Sequence, residues 1–205
     1  QFDDFDKDKL DINFNTVRVP FNQIGKIEDS KLVLKGSGSL SNHQEHSLVA
    51  RRWQHFKFES EIKMIYNPYS HQQLAGIANY YNTTHWSMLA ITYDEEHGKC
   101  IEVLETDRGQ LKSYFKKVLD LPENSNEIYL KTVVDTQYYG YEYSLDGNNW
   151  IDTGVKLDAK ILSDDYVNQT YGGFFTGAYV GMVNIDYTGY NNEAEFEYFK
   201  YKEED

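Results

Sequence analysis

The chain has 205 residues, 40% of them hydrophobic and 16% aromatic, and its formal net charge is −13. This length and composition suit one domain with a substantial core. The acidic balance disfavours nucleic acid, because no run of lysine or arginine offsets the repulsion of phosphates. No apolar stretch reaches the 18 residues typical of a membrane-spanning helix. We therefore expect neither nucleic acid nor a membrane among the partners of this protein.

Cysteine content and the first residue bear on the cellular compartment. Cys100 is the single cysteine, so no disulfide can form within the chain. The sequence opens on Gln1 rather than Met and shows no basic-then-apolar leader. From these features we expect a piece of a longer bacterial protein that is cytoplasmic rather than secreted.

Strand patterns dominate the first half of the chain. The most regular stretch is 47–64, where Phe56, Phe58, Ile62 and Met64 recur at period two and charged residues occupy the alternate positions. That alternation is typical of an antiparallel strand with one face in water. Three further runs at 73–82, 87–96 and 99–107 continue the pattern, with turn residues between them.

A hairpin is predicted in the second half. Tyr139, Tyr141 and Tyr143 alternate into an Asp146-Gly147 turn, and Trp150 is expected to open the return strand. The helical signal is weak, and only 157–166 is expected to form a turn or two of helix.

The stretch 171–184 (YGGFFTGAYVGMVN) is the centre of the pattern. Two glycines precede the aromatic pair Phe174 and Phe175, and residues 178–183 are apolar on both alternating faces. Such a strand is expected in the middle of a sheet. The aromatic pair either plugs the end of the core or is presented by a loop, and the residues alone leave both alternatives open.

Strands spaced 8–12 residues apart with turn chemistry between them indicate an all-β fold, a two-sheet antiparallel β-sandwich. We predict one domain over residues 1–205. Arg51 and Arg52 are neighbours on a predicted strand and should point to opposite faces, so one should lean inward and pair with a carboxylate.

Candidate catalytic and metal-binding residues are few. His43 and His46 lie in a loop-like segment without further ligands at zinc spacing, so a solvated loop is the better explanation. Sandwich-fold glycanases commonly carry E-x-D-x-x-E on one strand, but Glu102 to Glu105 lacks the middle Asp and the alternation. Carboxylates near both chain ends (Asp3, Asp4, Glu195 and Glu197) favour a structural calcium ion clipping the ends together. No catalytic residue is assigned.

Several stretches, in order and over nearly the whole chain, resemble the C-terminal concanavalin A-like domain of glycoside hydrolase family 43 β-xylosidases. The stretches are DDFD at 3–6, SLVARRWQHF at 47–56, QQLAGIANYYNT at 72–83, YSLDGNNW at 143–150, LSDDY at 162–166, FTGAYVGM at 175–182 and FEYF at 196–199. The resemblance implies a jelly-roll sandwich that packs beside a five-bladed propeller, and the propeller carries the catalytic carboxylates. It also implies that the loop before FTGA walls the catalytic pocket, with Phe175, and beside it Phe174, as substrate-binding residues. Asp4 and Glu197 match the calcium positions, although this chain has Glu where the family usually has Asp.

The sequence therefore predicts a non-catalytic accessory domain of a β-xylosidase or α-L-arabinofuranosidase type of enzyme that acts on xylo-oligosaccharides. Its expected partner is the propeller domain, and homo-oligomer formation is left open. One alternative is a free-standing carbohydrate-binding module that stacks sugar on Trp53, Trp86 or Trp150. Another is a complete sandwich-fold glycanase, whose signature would be two carboxylates in one cleft.

Overall fold

The structure, a computed structural model, describes residues 1–121, 125–171 and 175–204. Over these residues the chain forms two antiparallel sheets that pack face to face, which confirms the predicted β-sandwich. The larger sheet contains β1 (Phe2–Asp3), β3 (Gly25–Glu28), β4 (Lys31–Leu34), β6 (Lys57–Ile65), β11 (Glu127–Asp135), β12 (Tyr138–Ser144), β13 (Ile151–Asp152), β14 (Leu157–Asp158) and β16 (Ala194–Glu203). The smaller sheet has the order β10 (Gln110–Val118), β9 (Gly98–Asp107), β8 (His85–Asp94), β7 (Gln73–Asn82), β15 (Tyr179–Asp186), β5 (Ser47–Arg52) and β2 (Phe14–Thr16).

Period-two patterns set most of the strands. In β6, Phe58, Ile62 and Met64 are buried while the intervening charged residues are more exposed. Phe56 breaks the expectation, because β6 begins at Lys57 and the Phe56 side chain is 84% exposed. The alternation of buried and exposed side chains is present only within the paired strand. Phe56 precedes the strand, and its carbonyl accepts a hydrogen bond from the Thr136 amide at 2.7 Å.

The stretch around β15 lies where its two apolar faces predicted. β15 pairs with β5 on one side and β7 on the other, so it is an interior strand. One face contributes Val180 and Met182 to the core between the sheets, and the other contributes Val183 to a second apolar layer.

That second layer covers the outer face of the smaller sheet. Leu40, in the loop before β5, packs there with Leu48, Trp86 and Met88. The Trp86 indole donates to the Ser41 hydroxyl at 3.0 Å, which fixes the loop over the sheet. This face is therefore covered by the chain itself at these residues.

The predicted hairpin forms at β12. Tyr139, Tyr141 and Tyr143 are buried, and Gly147 has φ +76°, a conformation that glycine adopts without strain. The return strand β13 starts at Ile151, one residue later than predicted.

The weak helical signal is stronger in the structure than in the sequence. A 3₁₀ turn spans Ala159–Leu162, and the helix α2 spans Asp164–Tyr171, beyond the predicted 157–166. A one-turn helix, α1, spans Phe21–Ile24. Among the described residues no helix is long and apolar enough to cross a membrane.

The two arginines at the end of β5 point to opposite faces. Arg51 is 5% exposed and leans inward, whereas Arg52 is exposed. The predicted carboxylate partner was wrong, because the Arg51 guanidinium donates to the side-chain amide oxygens of Gln1 and Gln54 and lies 4.0 Å over the Tyr201 ring. Two neutral acceptors and an aromatic face replace the single anion.

Candidate functional site

One end of the sandwich gathers the residues that the sequence singled out around Phe175, and we call it the Phe175 end. Strand register places its parts together: Tyr179 at the start of β15 lies opposite Arg52 and Tyr80, at the ends of β5 and β7. From the larger sheet, Asp135 lies opposite Lys57, so the ends of β11 and β6 meet there too. The 3₁₀ turn and α2 cross this end before the chain enters β15.

Helix α2 is held against the smaller sheet by Tyr166. The Tyr166 hydroxyl donates to Asp107 at 3.0 Å, and the ring meets His85 edge-on, with ring centroids 5.8 Å apart. The Arg108 guanidinium covers the same ring at 4.7 Å. Burial lowers the pKa of His85 and raises that of Tyr166. His85 is therefore held neutral at pH 7, and it supports the helix as a packed side chain.

The segment after α2 is bound by side chains from three elements. Asp164, in the first turn of α2, accepts from the Tyr81 hydroxyl at 2.5 Å and from the Gly177 amide at 3.3 Å. Arg52 donates to the Thr176 carbonyl and, at 2.7 Å, to the Tyr179 hydroxyl. Burial, followed by the Asp164 carboxylate, raises the pKa of Tyr81, which keeps its hydroxyl a donor at neutral pH.

Phe175 lies directly before this bound segment and is 81% exposed. A ring with that exposure does not fill the core of this chain, so the core-plug alternative fails for Phe175. Phe174, the other predicted substrate-binding residue, lies outside the described residues.

Two cavities flank the segment that follows Phe175. Ala178 lines a cavity of about 460 Å³ together with Trp53, Phe56 and Leu162. Thr176 lines a second cavity of about 390 Å³, with Tyr80 and Tyr179 among its walls. The exposed rings of Phe56 and Phe175 therefore belong to the same end of the sandwich, beside concave surfaces.

A polar network stiffens the core behind this end. The Asn79 amide donates to Thr132 at 3.1 Å and to the Tyr141 hydroxyl at 2.9 Å, and it accepts from the Trp53 indole at 3.2 Å. Because Asn79 belongs to the smaller sheet and both acceptors to the larger, the network joins the two sheets.

The tryptophans do not form a sugar-stacking platform. Trp86 is buried, Trp53 packs edge-on against Phe58 with ring centroids 5.2 Å apart, and Trp150 lies under the Lys131 ammonium at 4.4 Å. Trp53 and Trp150 are only partly exposed, and none of the three rings is among the exposed large side chains. The described structure thus offers little to the carbohydrate-module alternative at these positions.

Glu102 and Glu105, the nearest match to a glycanase motif, act separately. Glu102 accepts from Ser113 at 2.6 Å on the outer side of β9, whereas Glu105 is 7% exposed and accepts from the Tyr114 hydroxyl at 2.8 Å. Burial raises the pKa of Glu105. Three residues apart on a strand, the two carboxylates face opposite sides and do not share a cleft.

The chain ends meet as the calcium hypothesis requires, because β1 pairs with β16. The proposed ligand Glu197, however, forms an ion pair with the Lys63 ammonium at 2.6 Å. Among the described residues, moreover, no group of three or more His, Cys, Asp or Glu side chains converges on one point. An ammonium therefore already neutralises one of the two expected ligands, and a calcium ion held by Asp4 and Glu197 stays a prediction.

The two sheets define a β-sandwich of the concanavalin A-like class. Residues 2–202 match the family described as "Beta xylosidase C-terminal Concanavalin A-like domain". The chain therefore belongs to the C-terminal concanavalin A-like domains of glycoside hydrolase family 43 β-xylosidases.

Relatives and solved structures agree with this membership. The chain is 38% identical to a β-xylosidase of Bacillus subtilis, with 99% of the chain covered, and 39% identical to a putative β-xylosidase of Escherichia coli, with 98% covered. It spans only 38% of each of these proteins. The crystal structure of xylan β-1,4-xylosidase from Bacillus halodurans superposes with a TM-score of 0.91 at 34% identity, over 98% of this chain and 39% of that one.

Sequence patterns alone do not reveal two side chains that organise the site. The adjacent acidic residues Asp164 and Asp165 by themselves indicate a solvated turn, and the strand pattern predicts for Arg52 only that it points away from Arg51. Both lie in stretches that carry the family resemblance, LSDDY and SLVARRWQHF, so the signal was present. Neither role is visible locally, because Arg52 and the Thr176 carbonyl are 124 residues apart.

Proposed function

We propose that this chain is the non-catalytic accessory domain of a two-domain β-xylosidase, and that it completes the substrate pocket of the catalytic domain with Phe175. The parent reaction is the release of terminal xylose from xylo-oligosaccharides. The catalytic carboxylates belong to the partner domain, and Phe175 supplies an apolar wall for the sugar beyond the scissile bond. The role of Phe175 goes beyond what membership of the family establishes.

The exposure of Phe175 is the observation that carries the proposal. A large aromatic ring that is 81% exposed gains little from its own domain. Exposed apolar surface beside a cavity is typical of a site that binds a partner or a ligand. Phe56, 84% exposed, adds a second ring at the same end and extends the surface available to a neighbouring domain.

The buried Arg51 and its partners also belong to this part of the sandwich. The Gln1 side-chain amide oxygen accepts a hydrogen bond from the Arg51 guanidinium. Gln54, the other amide that binds Arg51, lines the 460 Å³ cavity. Arg51 and its two amide partners therefore lie close to the Phe175 end.

The test uses a two-domain β-xylosidase that carries this sandwich. Phe175→Ala should weaken binding of the sugar beyond the scissile bond by about 1–3 kcal/mol, the scale for one apolar pocket contact. The effect should appear mainly in KM for xylo-oligosaccharides, because the contact exists in the ground state as well as in the transition state. An aryl xyloside with a different leaving group should respond differently.

The matched control is Phe56→Ala, which removes an equally exposed ring from the same end. Because Phe56 precedes β6 and lines the 460 Å³ cavity, its loss should affect domain association rather than KM. Neither substitution should lower the melting temperature of the sandwich appreciably. Wild-type kinetics for Phe175→Ala would rule out the pocket-wall role.

The absence of catalysis by the sandwich alone is also part of the proposal. Its support is the separation of Glu102 and Glu105 on opposite faces of β9 and the covering of the outer face of the smaller sheet by Leu40 and its neighbours. The purified chain should release no xylose from an aryl xyloside. Turnover that disappears on mutating one of its own carboxylates would overturn this assignment.

A further inference from the structure

We infer that Arg52 and Asp164 are positioning residues that fix the orientation of Phe175. The inference rests on the proposed function of Phe175 and adds to it the side chains that hold the ring in place. We call Arg52, Asp164 and Tyr81 the loop anchor.

Asp164 links the first turn of α2 to the backbone just before β15. Its Oδ1 accepts from the Gly177 amide at 3.3 Å, two residues after Phe175, although Asp164 itself is in the first turn of α2. The same oxygen accepts from the Tyr81 hydroxyl at 2.5 Å, which connects both to β7. One carboxylate thus holds the first turn of the helix, the backbone after Phe175 and the sheet in one arrangement.

Arg52 binds Thr176, the residue that follows Phe175. One nitrogen of its guanidinium donates to the Thr176 carbonyl, and the other donates to the Tyr179 hydroxyl at 2.7 Å. The guanidinium also lies 4.9 Å over the Tyr179 ring. Hydrogen bonds from a charged donor are roughly twice as strong as neutral ones, and the planar fork of arginine fixes direction as well as distance.

Gly177 makes this close approach feasible. Its φ is +68°, and a Cβ built at this position would lie 3.0 Å from the Arg52 guanidinium. A glycine here permits both the left-handed backbone and the seat of Arg52.

The anchor matters because Phe175 has little packing of its own. With the ring 81% exposed, the direction of its side chain is set by the backbone of its neighbours, and two charged groups bind that backbone at Thr176 and Gly177. A pre-oriented ring binds sugar without the entropic cost of ordering a free loop.

The experiment measures kcat and KM for a xylo-oligosaccharide in the two-domain enzyme carrying this sandwich. Arg52→Met and Asp164→Ala should each raise KM about fivefold, the effect of losing one or two hydrogen bonds of ordinary strength, with kcat nearly unchanged. Each substitution is also combined with Phe175→Ala. Because the anchor acts through the ring, neither should raise KM further once the ring is absent.

Matched controls separate the anchor from charge and helix effects. Asp165→Ala removes the adjacent, exposed carboxylate of the same helical turn, and Lys156→Met removes a cation that lies over Tyr138 at the same end. Both should leave KM unchanged. Arg52→Lys should restore part of the loss, since an ammonium reaches one acceptor but not two in a fixed fork.

Tyr81→Phe keeps the experiment decisive if Asp164→Ala folds poorly, because it removes only the hydroxyl that binds Asp164. The same rise in KM is expected, on a smaller scale. A wild-type KM for Arg52→Met and Tyr81→Phe, together with an impaired Phe175→Ala, would overturn this inference alone. Losses that multiply with Phe175→Ala would also overturn it, whereas wild-type kinetics for Phe175→Ala itself would overturn the proposed function.

Discussion

Removal of the Asn79 side chain should weaken the link between the two sheets behind the Phe175 end and so lower the free energy of unfolding. Asn79→Ala deletes three hydrogen bonds at once: those to Thr132 at 3.1 Å, to Tyr141 at 2.9 Å and from Trp53 at 3.2 Å. Asn79, Thr132 and Tyr141 are all buried, so the two hydroxyls left behind in the larger sheet have no access to bulk water.

The expected loss follows from these three bonds. An intramolecular hydrogen bond contributes about 1 kcal/mol net, and a buried donor left unpaired costs about 1–3 kcal/mol. Asn79→Ala should therefore lower the free energy of unfolding by about 3 kcal/mol. In a protein of this size 1 kcal/mol shifts the melting temperature by about 2–4 °C, so the expected decrease is about 6–12 °C.

Thermal and urea unfolding of the sandwich measure the loss, and a double-mutant cycle with Tyr141→Phe assigns it. Tyr141→Phe keeps the ring but removes the hydroxyl that contacts both Asn79 and Ser87. Because the two substitutions share one bond, their losses should be less than additive by about 1 kcal/mol. A loss below 1 kcal/mol for Asn79→Ala, or strict additivity with Tyr141→Phe, would refute the network as an inter-sheet link.

Two further substitutions test the interior. Glu105→Gln should raise the melting temperature at pH 7. Burial raises the pKa of Glu105, so the wild-type sandwich loses stability as pH rises from the unfolded pKa of 4.5 through the folded pKa. The Glu105→Gln variant has no carboxyl to ionise at this position and does not lose this stability. Equal melting temperatures of the two proteins at both pH 4 and pH 7 would contradict this. Gly76→Ala should lower the free energy of unfolding by about 1–3 kcal/mol or more, since its Cβ would lie 2.0 Å from the Leu89 carbonyl oxygen on the paired strand. The control is Gly98→Ala, whose Cβ meets no atom within 4 Å, so that it reports only the backbone strain at φ +86°. Similar melting temperatures for the two variants would count against the steric argument.

Local patterns determined most of the strands. Alternation gave β12 and its three buried tyrosines, and two apolar faces placed β15 inside a sheet. The turn at Gly147 follows from backbone chemistry that any Asp-Gly pair carries. These features were predictable because each depends on residues within about ten positions of one another.

Which of these side chains lie at the surface was decided only by the tertiary structure. Phe56 continues the period-two pattern yet is exposed, because pairing with β11 starts at Lys57. Arg51 found amides instead of a carboxylate, since Gln1 lies beside it in space although it is 50 residues away in sequence.

The candidate site divides in the same way. The sequence by itself marked Phe175 through the glycines before it and the strand after it, and the family resemblance gave it a role. Its exposure, the seat of Arg52 on the Thr176 carbonyl and the bond from Gly177 to Asp164 required the folded chain. Such contacts join residues between 13 and 124 positions apart, and no periodicity in the sequence records a distance that only the packing of two sheets creates.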